Sequence, residues 1–329
     1  MADYKAIKGH HLQSISSDNA TLAVGDIWYN TTLGKIRIAK LPAGTFATGG
    51  NLNTADYGRH GCGASQSAAL VAGGGANPST ANSEEYDGSA WTEGNNLNQA
   101  RTYAGSGGTQ TAGIIFAGVF LNSGGSPSSP DVKQTTAETY NGTSWTEVAD
   151  LSTARQNTTG CGTTTSALCF GGLQTPGTDL AVAESWNGTA WTEVGDLTTA
   201  RRYLNGAGET ATAALCIGGH PNRDITESFN GTSWTEVGDL NTGRHSGATA
   251  TQGTNASTLI TGGAYPSTVN TELWDGTSWT ETTNPSISRN EHAGAGVQTD
   301  AIFMGGNTSP KAQTEVWTIA VAAANVTSS

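Results

Sequence analysis

An all-β fold assembled from repeated four-stranded units is what this sequence predicts, and three observations predict it. Composition is the first: of 329 residues 45 are Gly and nine are Trp, while charged residues make up only 13%. Gly and Asn accept the positive φ of tight turns, and Thr and aromatic rings suit a pleated surface. Periodicity is the second. The Trp that opens "WTE" recurs at Trp91, Trp145, Trp191, Trp234 and Trp279, at spacings of 54, 46, 43 and 45. The third is a Gly-Gly or near match at Gly73, Ala117, Gly171, Gly218, Gly262 and Gly305, each closing a short apolar run such as "AALVAGG" or "ALCFGG". A Glu two places before an aromatic keeps step at Glu84, Glu138, Glu184, Glu227, Glu272 and Glu315, which makes six repeats.

Each repeat parses into four strands. The first follows "LxTAR" and is rich in small residues. The second is the apolar run into Gly-Gly, the third carries Glu and its aromatic, and the fourth is "SWTEV" or a variant. Units of roughly 40 to 50 residues with four strands each mark a β-propeller, one unit per blade. A helical repeat would need an apolar stripe at period 3.6, which these Gly- and Thr-rich segments lack. The turn between third and fourth strands reads "NGT" or "DGT"/"DGS", and a type I′ turn with positive φ at both central residues is expected there. Because Asn141, Asn187 and Asn230 alternate with Asp87 and Asp275, that motif reads as turn chemistry and not as a glycan acceptor.

The sixth unit has no "SWTEV" after Trp317, yet "GTFATGGNLNTAD" (44–56) aligns with "SAWTEGNNLNQAR" (89–101) and sets Phe46 in the slot of Trp91. The segment near Phe46 is therefore expected to be the outer strand of the last blade and to close the ring, removing exposed strand edges. Three regions result: an arm over 1–41, a six-bladed propeller over 42–318, and a tail over 319–329. In the arm, "VGDIWYNTTLGKIRIAK" (24–40) alternates like a hairpin around Leu33-Gly34.

A formal net charge of −12 argues against a nucleic-acid partner, for which a basic patch is the expected footprint. No apolar run is long enough for a membrane span, and "MADYKAIKGHHLQS" has neither the basic nor the apolar region of a secretory signal.

Gly-Gly, then Glu before an aromatic, then Asn-Gly or Asp-Gly, then Trp, then Arg opening the next unit resembles the kelch repeat over roughly residues 42 to 318. That resemblance implies a propeller similar to that of galactose oxidase, with no single function attached. The short element "GDIWYNTT-x-G" resembles one found in bacteriophage tail-fibre and other virion proteins, which implies an attachment arm.

Cys62 and Cys161 occupy a small-residue slot of the first strand, and Cys169 and Cys216 an apolar slot of the second, so all four read as structural thiols. This puts a galactose-oxidase-like copper centre in doubt. A sialidase box "SxDxGxTW" is not matched by "WDGTSW", because Gly276 follows Asp275 directly. The loop acids Asp131, Asp179 and Asp224 read as solvated. Histidines His60, His245, His292 and His220 fall near one face, but convergence on a metal is not readable from spacing. No catalytic residue, metal or cofactor is expected.

Arg101, Arg155, Arg201, Arg244 and Arg289 share one slot, where the first unit has Asp56. Up-and-down order brings each near the recurrent Glu, so structural ion pairs are expected; the rival is a cationic ring at the channel mouth holding carboxylates. The loops between second and third strands differ in every unit, and unrepeated loops on a repeated scaffold are where binding is expected. Phe120, Leu121, Leu173, His220, Arg223 and Tyr265 are the candidate contacts. The reading is a non-enzymatic phage virion protein whose loops recognise a surface glycan or protein and whose arm meets other virion proteins, with room for a homo-oligomer. Alternatives are a structural decoration of the particle, a secreted or cell-surface protein, and a carbohydrate oxidase or lyase.

Overall fold

The computed structural model describes residues 13–18, 26–40, 43–75, 78–121, 132–264, 268–320 and 322–325. Two compact units are present, one of 1–44 with 318–329, the other of 45–317. Every regular element among the described residues is a strand.

Among the described residues of 45–317 there are six four-stranded antiparallel sheets, the arrangement of a β-propeller. Five take their strands in chain order, as in Gly105–Thr109, Ala112–Phe116, Ala137–Tyr140 and Trp145–Val148. The remaining sheet joins Ala293–Val297, Asp300–Met304 and Thr314–Thr318 to Thr45–Thr48, so the segment holding Phe46 is its outer strand. Phe46 packs on Trp317 with ring centroids 4.8 Å apart. The first strands touch in cyclic order from His60–Ser65 through Gly105–Thr109, Thr159–Thr163, Asn205–Thr210 and Ala248–Thr249 to Ala293–Val297, and so back to His60–Ser65.

Small residues in the first strands follow from this crowding. A Cβ on Gly294 would lie 2.2 Å from the Thr249 carbonyl of the adjacent sheet. The core lies between blades: Leu168, Phe170 and Ala183 of one sheet pack with Cys216, Phe229 and Trp234 of the next. Each outer-strand Trp stacks on the aromatic across its own hairpin, as Tyr140 does on Trp145 at 4.9 Å. Some reach the preceding sheet as well, where Phe170 meets Trp234 at 4.9 Å and Trp279 Nε1 donates to Thr226 Oγ1 at 3.0 Å.

The turn at the end of each third strand differs from the expected type I′. Tyr140 pairs with Trp145, leaving four loop residues. Of them only Gly142 has positive φ, +88°. Asn141 Oδ1 accepts the amides of Thr143 and Ser144, both at 2.9 Å, and Asp275 does the same for Thr277 and Ser278. The side-chain oxygen organises the turn, and Asn and Asp both supply it.

In the other unit, Gln13–Ile15, Ile27–Asn30, Lys35–Lys40 and Ala322–Asn325 make one sheet. The hairpin turns at Leu33-Gly34, where the Leu33 amide donates to Asn30 Oδ1 at 2.9 Å. Asp18 clasps it, accepting from Trp28 Nε1, Asn30 Nδ2 and Arg37 at 3.2, 3.0 and 2.8 Å. The segment expected as a separate C-terminal tail instead pairs Ala322–Asn325 with Lys40 to Arg37. Its "AVAAAN" carries too few large apolar groups to announce a strand, and the hydrogen bonds of a free sheet edge order it.

Candidate functional site

Six Arg–Glu pairs hold the connections leading to the axis. Arg101, Arg155, Arg201, Arg244 and Arg289 are buried and bonded to Glu138, Glu184, Glu227, Glu272 and Glu315. Each also donates to the carbonyl of its Gly-Gly slot, as Arg101 does to Ala117 at 3.1 Å and Arg289 to Gly305 at 2.9 Å. The Glu partners accept backbone amides of the incoming loop too: Glu138 takes those of Asn98 and Gln99 at 2.7 and 3.2 Å. Both charges are thus paired away from solvent, the arrangement of a structural clamp and not of a cationic mouth. In the first unit, where Asp56 fills the slot, Arg59 supplies the missing guanidinium from three residues downstream, 2.8 Å from Glu84 and 3.0 Å from the Gly73 carbonyl.

Two residues beyond the Arg of five units, and two beyond Asp56 in the first, the chain reaches the axis. Gly58, Tyr103, Asn157, Tyr203, Ser246 and Glu291 form a closed cycle of backbone hydrogen bonds, each amide donating to the carbonyl of the preceding unit at 2.8 to 3.3 Å. All six have φ between 53° and 63°. For a residue with a Cβ that conformation costs about 1–2 kcal/mol, so five side chains are held under strain around one opening. Such strain persists only where the surroundings over-determine it, and it clusters at functional sites.

These residues line a cavity of about 120 Å³ on the face that carries the second-to-third-strand loops. Tyr103 and Tyr203 meet edge to face at 6.1 Å, and Tyr103 Oη donates to Glu291 Oε2 at 3.4 Å. Burial raises the Glu291 carboxyl above the usual range, with Tyr103 and Lys311 pulling against it. It raises Tyr103 as well, and the Glu291 charge adds to the effect. At the rim the Tyr203 ring lies 5.6 Å from His245, which lies 5.6 Å from His220. Arg202 sits 5.9 Å above Tyr203 and is paired with Asp179 at 2.6 Å. Lys311 sits 4.7 Å above Tyr57. Burial holds His60 and His292 at about 3 and His245 at about 4, so all three are neutral near pH 7.

Of the loop candidates among the described residues, His220 reaches this mouth, through His245 to Tyr203. Phe120 is exposed in a two-stranded ribbon, Val119–Phe120 with Val132–Lys133. Leu121 is tied through its backbone to Ser79. Leu173 pairs with Asp179 in a second ribbon, and the Arg223 backbone carbonyl receives the Arg244 amide at 3.1 Å. Tyr265 and Asp131 lie outside the described residues. The mouth residues Tyr103, Asn157, Tyr203, Ser246 and Glu291 lie outside the loops whose variation marks them as candidates in the sequence. Their signal was a varying column two places after a slot that holds Arg in five of six repeats.

All four cysteines are buried and unbridged. Burial pushes Cys62, Cys161 and Cys216 up to about 12 and Cys169 to about 11. Among the described residues no three His, Cys, Asp or Glu side chains converge as a metal site requires.

No family model and no curated protein matches the sequence. A solved structure titled "Structure of YjhT" is similar at a TM-score of 0.66 and 12% identity, covering 83% of this chain and 99% of that one. The likeness is one of fold, and with the four-stranded sheets it makes this chain a β-propeller.

Proposed function

We propose that the chain is a non-enzymatic recognition protein of a bacteriophage particle: a six-bladed, kelch-like propeller that binds a surface glycan or protein on its loop-bearing face. One observation carries the recognition reading. The turn end of the blades repeats the same Asn/Asp-Gly element, while the other end presents a varied set, Gly58, Tyr103, Asn157, Tyr203, Ser246 and Glu291, around one concave mouth. Concavity with aromatic walls and a few placed polar groups is what ligand sites share. The Arg, Glu and Gly-Gly clamp supports the kelch-like reading, and thiols held protonated by burial support a binding over a nucleophilic role.

The virion assignment rests on "GDIWYNTT-x-G". Exposed Ile27, Tyr29 and Leu33 at 45%, 37% and 52% give the arm an apolar surface suited to other virion proteins. Two measurements test the proposal. Mass spectrometry of purified particles is expected to contain the chain. A glycan and cell-surface array probed with purified protein is expected to return a binder lost in Tyr103→Ala/Tyr203→Ala at unchanged melting temperature. An array signal untouched by that double variant would refute recognition at the mouth, and particles lacking the chain would refute the virion assignment.

A further inference from the structure

We propose that the axial mouth receives a primary ammonium group carried by the ligand; this deepens the recognition reading and rests on it. Among the described residues lining the cavity, Arg59 is neutralised by Glu84 at 2.8 Å, whereas the Glu291 carboxyl stands outside any ion pair. Glu291 is a carboxylate with room for about four hydrogen bonds, and among the described residues it receives one, the long 3.4 Å contact from Tyr103. Glu138, one of the buried clamp carboxylates, receives four: from the Asn98 backbone amide and side chain, the Gln99 amide and Arg101. Asn157, 4% exposed, lines the same cavity, and its Oδ1 is buried without a partner.

An ammonium offers three donors and a positive charge, so it answers the Glu291 carboxyl in both respects, whereas a hydroxyl brings no charge to set against it. The rings beside Glu291 reinforce the match, since the face of a tyrosine attracts a cation. The rim already does this internally: the Lys311 ammonium lies over Tyr57 and the Arg202 guanidinium over Tyr203. Arg202 is committed to Asp179 at 2.6 Å, and among the described residues no ion pair within 4.0 Å joins Lys311 to Glu291. The net charge of −12 favours approach of a cation over a distance.

The ammonium could be borne by an alkyl side chain or by an amino sugar, and the test separates them. Full-length protein would be titrated by NMR at pH 7 with butylammonium against butanol, and with glucosamine against N-acetylglucosamine. At least one ammonium probe is expected to bind tenfold or more tighter than its neutral counterpart, and the tighter of the two names the carrier. Glu291→Gln keeps the backbone hydrogen bonds of the ring and is expected to abolish that preference, with thermal unfolding as the check on folding. Equal binding of charged and neutral probes, or an ammonium preference that survives in Glu291→Gln, would overturn the inference. A neutral glycan captured at the mouth without any ammonium preference would overturn it too, while leaving the recognition reading standing.

Discussion

The two ends of the propeller are built on opposite rules. At the turn end, Asn141, Asn187, Asn230, Asp87 and Asp275 perform one task, and each accepts two backbone amides through Oδ1. At the mouth end, one backbone cycle holds Gly58, Tyr103, Asn157, Tyr203, Ser246 and Glu291, six positions with little side chain in common. The difference teaches where selection for fold stops. Where the side chain makes the local structure it repeats; where the backbone alone makes it, the side chain is free to differ.

The clamp between the two ends is the harshest place to break this comparison. Glu138→Ala leaves the Arg101 guanidinium buried without its carboxylate, and a loss of about 3–5 kcal/mol is expected in chemical denaturation. Ligand preference at the mouth should be unaltered in whatever fraction stays folded.

Acid acts on the mouth end selectively. His60 and His292 are neutral in the fold, with values lowered from 6.5 to about 3 by burial. Below pH 6.5 the unfolded chain binds protons that the fold excludes, so stability is present above 6.5 and falls as pH drops towards 3. Each residue contributes a slope approaching about 1.4 kcal/mol per pH unit. His60 Nε2 accepts the Ala104 amide at 3.0 Å, so His60→Gln can keep an acceptor. Denaturation midpoints across this range should fall less steeply in that variant.

At the turn end, Asn141→Ala removes two accepted bonds and is expected to cost about 1–2 kcal/mol, whereas Asn141→Asp should be close to neutral by thermal melting. The smallest effect has the opposite sign. Ser246→Gly relieves a left-handed residue with φ of 56°, and a gain of up to about 1 kcal/mol is expected. Equal losses at both positions would erase the distinction between side-chain-made and backbone-made structure.

Much of the fold was legible because its signals are local. Strand alternation, Gly-Gly and the Asn/Asp-Gly turns lie within a few residues of what they determine, and Phe46 was placed by alignment to Trp91. The exchange of Asp56 for Arg59 was not legible. A guanidinium on a long stem reaches Glu84 from a different position, and only the folded loop shows that it does. The last strand of the arm was equally hidden, since its partner Lys35–Lys40 is far away in the chain.

The amino-acid sequence by itself determined the repeats, the strand order within each sheet and the pairing of Arg with Glu, because each depends on short-range patterning and on charges that must meet when buried. Tertiary structure decided the mouth. Gly58 and Glu291 meet through a 2.9 Å hydrogen bond only when the ring closes, and that closure turns one varying column into six walls of a single cavity.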